Sequence, residues 1–114
     1  MINAKIVEDK NIVYVSVGGY LTGVDAKEFL NNYKRMTKSI KPSQYRLVVE
    51  PSDFQCENNK DIRTVCMAFL KTGYNKMYLV DPKNNIMNSL SLGAIEKKLF
   101  LKSVKFIKSI KEVN

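Results

Sequence analysis

Four carboxylates, Glu50, Asp53, Glu57 and Asp61, crowd the stretch between positions 50 and 61. Two of them facing each other across a pocket would form a general acid–base pair of the kind that hydrolyses glycosides. Their oxygens could also ligate a hard cation. Their spacing fits no EF-hand loop, and acids around the first turn of a helix are ordinary partners of its dipole. The expectation is therefore structural, with no metal site and no catalytic residue assigned. Other chemistry-bearing types are scarce. Histidine is absent altogether, which removes the commonest general base and every Ser–His or Cys–His nucleophile. The two cysteines, Cys56 and Cys66, are too few for a four-cysteine zinc site and form no C-x-x-C pair. Cys66 stands on an apolar helical stripe, where a buried thiol is inert.

A glycine cluster, Gly18-Gly19-Tyr20-Leu21-Thr22-Gly23, invites comparison with phosphate-cradling loops. Gly18 and Gly23 have the Walker A spacing, but Val24-Asp25 stand where Lys and Ser or Thr are needed, and a carboxylate there repels phosphate. No G-x-G-x-x-G fingerprint occurs either. The glycines read as a strand-end turn needing positive φ, and no cofactor is expected.

The net charge is +8, from 19 Lys and Arg against 11 Asp and Glu, and sixteen of the basic residues are lysines. Proteins that grip phosphates and base edges favour the bidentate arginine fork, so this balance fits a solvated surface better than specific nucleic-acid recognition. Lys97, Lys98, Lys102, Lys105, Lys108 and Lys111 interleave with Leu99, Phe100, Leu101, Val104, Phe106, Ile107 and Ile110. Such a segment could lie on a polyanion or an anionic membrane. The preferred reading is a last structural element with its lysines in water, so membrane contact is not expected. No run approaches the roughly 18 apolar residues of a membrane span. The N-terminal residues carry charge too early for an export signal. With two free thiols, this points to a reducing cytoplasm.

The elements that must position these residues follow from periodicity. Ala4 to Val7 and Ile12 to Val17 read as a hairpin across Glu8–Asn11, the second strand stopped by Gly18-Gly19. A helix follows, with Asp25 as N-cap, Glu28 completing a capping box, and Phe29, Leu30, Tyr33, Met36 and Ile40 on one stripe. Leu47-Val48-Val49 reads as a buried strand and Pro51 to Asn58 as a linker. Ile62, Val65, Cys66, Phe69 and Leu70 mark a second helix stopped by Gly73. Met77 to Val80 is a further strand, Asn85 to Leu99 a weaker helix, and Val104 to Ile110 fits neither period. The order β-β-α-β-α-β-α gives one α/β domain over residues 1–114, with a mixed, mostly parallel sheet and an antiparallel N-terminal hairpin strand.

Three local patterns, in this order, resemble the STAS domain of bacterial anti-sigma-factor antagonists, the SpoIIAA-like fold. Val15-Ser16-Val17-Gly18-Gly19-Tyr20-Leu21 resembles the family's strand ending in G-x-L before its first helix. Leu47-Val48-Val49-Glu50 resembles the central strand, and Asn58-Asn59-Lys60-Asp61-Ile62 falls where the family has D-S-S-G-L or D-T-S-G-L. The Ile62, Val65, Cys66, Phe69 helix then matches in phase, and the likeness spans roughly residues 2 to 110. It implies a non-catalytic, regulatory protein-interaction module. The family's partner-facing surface maps onto Asn58, Asn59, Lys60 and Asp61, flanked by Asp53 to Glu57. The implied partner resembles an anti-sigma-factor kinase or is another STAS-like chain, which leaves room for a homo-oligomer.

In the family the first Ser or Thr of that motif is phosphorylated. Here Asn59 holds the position and has no hydroxyl, Asn58 replaces the acid, and Asp61 replaces the glycine. The serine-phosphorylation switch is therefore expected to be missing. A SpoIIAA-like small-molecule carrier is the remaining alternative and would require an apolar cavity.

Overall fold

Strand-forming residues, β-branched and aromatic, dominate the first 21 positions, and the computed structural model pairs them as a hairpin. It describes residues 1–83, 98 and 102–113. Strand β1 (Ile2–Val7) runs antiparallel to β2 (Ile12–Leu21), joined by a 3-10 turn whose last residue, Asn11, takes the left-handed conformation at φ 52°. Helix α1 (Gly23–Thr37) leads to β3 (Arg46–Cys56), and α2 (Asn59–Thr72) leads to β4 (Lys76–Val80). Strand β5 (Val104–Ile107) closes the sheet, in the order β1-β2-β3-β4-β5. All pairs beyond the hairpin are parallel. The fold is thus α/β, with a mixed sheet and helices packed on it. The ambiguous segment 104–110 resolves as a strand followed by a 3-10 turn, Ile110–Glu112. The helix expected over 85–99 lies outside the described residues except for Lys98, which is helical.

Because consecutive parallel strands are sheet neighbours, right-handed crossovers place α1 and α2 on the same face. Alternation then does the rest. Val13, Val15 and Val17 of β2, Leu47 and Val49 of β3 and Met77 and Leu79 of β4 meet Phe29, Tyr33, Ile62, Val65, Cys66 and Phe69 of the helices in one core. Phe69 sits edge-on to both Phe29 and Tyr33, at centroid distances of 6.2 and 5.3 Å. The opposite residues of each strand, Ile12, Val48, Tyr78, Val80 and Ile107, form a smaller cluster on the second face.

A chain of hydroxyls ties α1 to α2. The Thr72 hydroxyl donates to the Ala68 carbonyl at 2.8 Å, so its oxygen can only accept from Tyr33, 2.7 Å away. The Tyr33 proton is then committed, and Tyr74, also at 2.7 Å, must be the donor to Tyr33. Burial raises the pKa of both tyrosines.

Three elements depart from the sequence expectation. The N-cap of α1 is Thr22, whose oxygen accepts from the Asp25 N–H at 3.1 Å while Asp25 accepts from the Thr22 N–H at 3.0 Å. Asp25 is the reciprocal partner of the capping box, three residues into it, because the helix starts earlier than its apolar stripe. The Thr22 N–H, first of all, holds the Asp25 carboxyl below its usual range. Second, β2 does not stop at Gly18-Gly19 but runs through them to Leu21. Third, the segment read as a linker from Pro51 is strand up to Cys56.

The second and third departures have one cause. Val17 pairs with Pro51 and Gly19 with Phe54, so β3 carries one residue more than β2. Such a bulge inverts the facing of everything after it. Leu47 and Val49 point toward the helices, and after the bulge so do Phe54 and Cys56. Pro51 brings no N–H, and the Ser52 hydroxyl donates to the Val17 carbonyl at 3.1 Å. Gly19 takes φ 73°, and a Cβ on Gly18 would stand 2.5 Å from the Ser52 oxygen.

This contact makes a double-mutant cycle informative. Gly18→Ala turns the Ser52 hydroxyl away from Val17, and Ser52→Ala deletes it, so each destabilises the fold by about 1 kcal/mol. The double variant removes the clash with the bond and is no less stable than either single variant. Urea unfolding of the four proteins measures this; strictly additive losses would show that the two residues do not share the bond.

Candidate functional site

The carboxyl ends of β2 and β3 bring the expected site together at one tip of the molecule. Beyond Cys56 the chain is held to β2 by the Glu57 N–H, which donates to the Leu21 carbonyl at 2.7 Å. Asn58 then caps α2, its side-chain oxygen accepting from the Lys60 N–H at 3.0 Å. Asn59 and Lys60 are exposed on the first turn. Asp61, half-buried, sits where acids favour the helix dipole, and its carboxylate lies beside Gly23, the first residue of α1. Asn58, Asn59, Lys60, Asp61 and Glu57 therefore form one surface.

Asp53 does not belong to it. It stands at the bulge with Glu50 and Ser52, along a cleft of about 260 Å³ that Lys83 and Lys108 also line. Glu50 faces the second side of the sheet and accepts the Tyr14 hydroxyl. Burial, helped by that carboxylate, pushes the Tyr14 phenol up to about 12. The four clustered acids are thus divided by the alternation of β3 and the turn into α2: Glu50 and Asp53 line that cleft, while Glu57 and Asp61 stand at the tip. Among the described residues no group of three His, Cys, Asp or Glu is placed to hold a metal ion.

Two tip residues escape a reading based on charge and motif. Tyr20, near the end of β2, is 58% exposed, and Val24, in the first turn of α1, is 65% exposed. Once β2 is carried through the glycines, strict alternation puts Leu21 in the core and Tyr20 outside it. That alternation was the available signal. The hydroxyls nearest Asn59 in sequence are both engaged: Ser52 with the Val17 carbonyl, and Thr64, exposed, with the Lys60 carbonyl at 3.0 Å. Ser52 stands in β3 rather than in a linker.

Lys105, Lys108 and Lys111 lie on and after β5, two strands from β3 in the sheet. Lys105 is on β5, with Phe106 41% exposed beside it, and Lys108 and Lys111 flank the exposed Ile110. Lys97 is outside the described residues. No described helix is long and apolar enough to cross a membrane. The apolar space enclosed between the sheet and α2, lined by Val49, Ile62 and Leu79 among others, is about 20 Å³. That holds little more than one water and no organic ligand.

Both thiols are held above the ordinary cysteine range. Burial pushes the Cys66 thiol up to about 12. Half-buried Cys56 is raised by burial and then by the Asp61 carboxylate. Asp61→Asn therefore lowers the Cys56 pKa and speeds its alkylation by iodoacetamide at pH 8, because the gain in thiolate exceeds the accompanying loss of nucleophilicity. Cys66 stays unmodified until the protein unfolds. Mass-spectrometric alkylation rates check this; an unchanged Cys56 rate would place Asp61 away from the thiol.

The chain matches no family model and no curated protein sequence. Among solved structures, it is similar to the anti-sigma factor antagonist SpoIIAA in its unphosphorylated form, with a TM-score of 0.59 at 9% identity. The match covers 98% of this chain and 92% of that one. At that identity the likeness is one of fold, and it extends over nearly the whole chain: antiparallel hairpin, parallel strands and helices on the sheet, in the STAS-like arrangement.

Proposed function

We propose that residues 1–114 act as one regulatory, non-catalytic protein-interaction module whose contact surface is the tip built by Glu57, Asn58, Asn59, Lys60 and Asp61. The observation that carries the reading is the exposed first turn of α2, capped by Asn58, with Val24 uncovered on the first turn of α1, where Gly23 lies beside Asp61. An exposed aliphatic group beside a capped polar turn fits the anatomy of a protein contact, with an apolar anchor and a polar rim. Asp53, at the bulge, borders this surface at most and is not one of its anchors. The partner chemistry that fits the fold is an anti-sigma-factor-like kinase or another STAS-like chain, in the cytoplasm.

Asn59 makes the module constitutive. A phosphate at this position would add about −1.5 to −2 charge and three acceptor oxygens, and Asn offers no hydroxyl to receive it. The neighbouring Ser52 and Thr64 hydroxyls donate to backbone carbonyls, and neither occupies the place of Asn59.

The test is affinity capture from the native cytoplasm on wild-type, Asn59→Ser and Asn59→Asp chains, read by quantitative mass spectrometry. Wild type and Asn59→Ser retain the same partner equally. Asn59→Asp places a negative charge beside Asp61 and Glu57 and retains at least about tenfold less, a loss of ~1.4 kcal/mol. Equal retention by all three, a reproducible enzymatic turnover with no protein partner, or a stoichiometric phosphate on Ser52 or Thr64 would each overturn the reading.

A further inference from the structure

The outer surfaces of α1 and α2 leave a groove of about 710 Å³ between them, on the side turned away from the sheet. Its apolar part is Leu30 of α1 with Met67 and Ala68 of α2, all half-buried. Its charged part is Lys34 of α1 and Lys60, Arg63 and Lys71 of α2, and no Asp or Glu is among the described residues lining it. On a chain that carries 11 acidic residues, a groove lined by three lysines and, among the described residues, by no acid is a local field of one sign.

We propose that this groove docks an acidic amphipathic helix of a partner protein. Three features favour that occupant. The groove is lined from Leu30 to Thr37 of α1 and from Lys60 to Thr72 of α2, so it has the direction of the helices and, at about 1.5 Å per residue, roughly the 18 Å along α2 that a helix of about three turns fills. Ala68 lets a backbone come close, and Met67 adapts to whatever apolar side chain enters. Lysines along the borders then meet acids that flank the partner's apolar stripe, which steers the encounter and sets its direction.

The same features disfavour a phosphate backbone or a lipid surface. Thr37, Thr64 and Thr72, which also line the groove, donate their hydroxyls to the carbonyls of Tyr33, Lys60 and Ala68, one turn back. The walls therefore present methyl groups and ammonium heads, without the hydroxyl donors that commonly fix a phosphate. A flat bilayer does not reach an apolar floor lying between two helices. The groove extends beyond the tip, shares only Lys60 with it, and does not depend on the reading of Asn59.

The experiment is a titration of the isotope-labelled full chain, followed by amide chemical shifts. The probe is a stapled helical peptide of about four turns, with leucines at i, i+3, i+4 and i+7 and glutamates along both borders. The expected result is a set of shifts at Leu30, Lys34, Met67, Ala68 and Lys71, weakened by salt. Lys34→Glu combined with Lys71→Glu, both at exposed positions, reduces affinity at least about tenfold with an unchanged circular-dichroism spectrum. As a second variant, Met67→Lys removes the apolar contact and keeps the positive field, and it too weakens binding. The proposal is overturned if the probe fails to bind at low salt, or if a peptide with serines in place of the leucines binds equally. It is also overturned if duplex DNA or phosphatidylserine vesicles shift the same resonances more strongly than the probe. Capture on the Asn59 variants involves neither Lys34 nor Lys71, so either reading can fail alone.

Discussion

Between Val17 and Gly19 strand β2 advances two residues while β3 advances three, from Pro51 to Phe54. The side chains of a strand alternate, so this single extra residue decides which face everything beyond it serves. Without it, Phe54 and Cys56 would turn to the second face, and Asp53 and Gln55 would enter the apolar core beneath α2. With it, β3 stays paired with β2 as far as Leu21 and Cys56, and α2 begins three residues later from a fixed point. The bulge makes demands in return. Gly19 must take positive φ, Gly18 must lack a Cβ, and the carbonyl of Val17 must find a donor in the Ser52 hydroxyl. The orientation of the tip is a consequence of that local geometry.

The four acids of the 50–61 stretch are divided between the bulge cleft and the tip. Glu50 and Asp61 are close in sequence, yet one accepts the Tyr14 hydroxyl on the second face and the other lies beside the start of α1. What remains at the tip is a capped helix end, an amide where a hydroxyl would be needed for phosphorylation, and two exposed apolar side chains. Both the tip and the inter-helix groove use the same two helices, whose mutual packing through Phe29, Tyr33 and Phe69 and the Tyr74–Tyr33–Thr72 hydroxyl chain keeps them as one body. A partner reading either surface would meet a preformed shape, which would lower the entropic cost of binding.

Where burial follows a single period, the elements were legible in the sequence. The α2 stripe Ile62, Val65, Cys66, Phe69 and its stop at Gly73, φ 86°, stand as periodicity and turn chemistry dictate. The buried cores of β2, β3 and β4 were equally plain. The losses fall at places where two physical signals compete. Gly18-Gly19 and Pro51 are strong breakers in any local reading, and only the long-range pairing of β2 with β3 shows that they serve a bulge inside continuous strands. Thr22 and Asp25 are both good caps; the one that acts as N-cap depends on where β2 ends, which the bulge again decides. Tyr20 escaped notice for the same reason. Asn58–Asp61 kept together because they share one helical turn, whereas Asp53 was separated from them by the bulge.

Residue-resolved hydrogen exchange under native conditions tests the central claim most directly, that the tip is a rigid continuation of the β2–β3 pairing. The account predicts that the Glu57 amide, donor to the Leu21 carbonyl, exchanges slowly and opens in the same cooperative unit as the amides of Leu47 to Val49. A Glu57 amide that exchanges at the rate of an unprotected loop, while Leu47 to Val49 remain protected, would contradict it: the chain beyond Pro51 would then be a linker, and the tip would have no fixed shape to offer a partner.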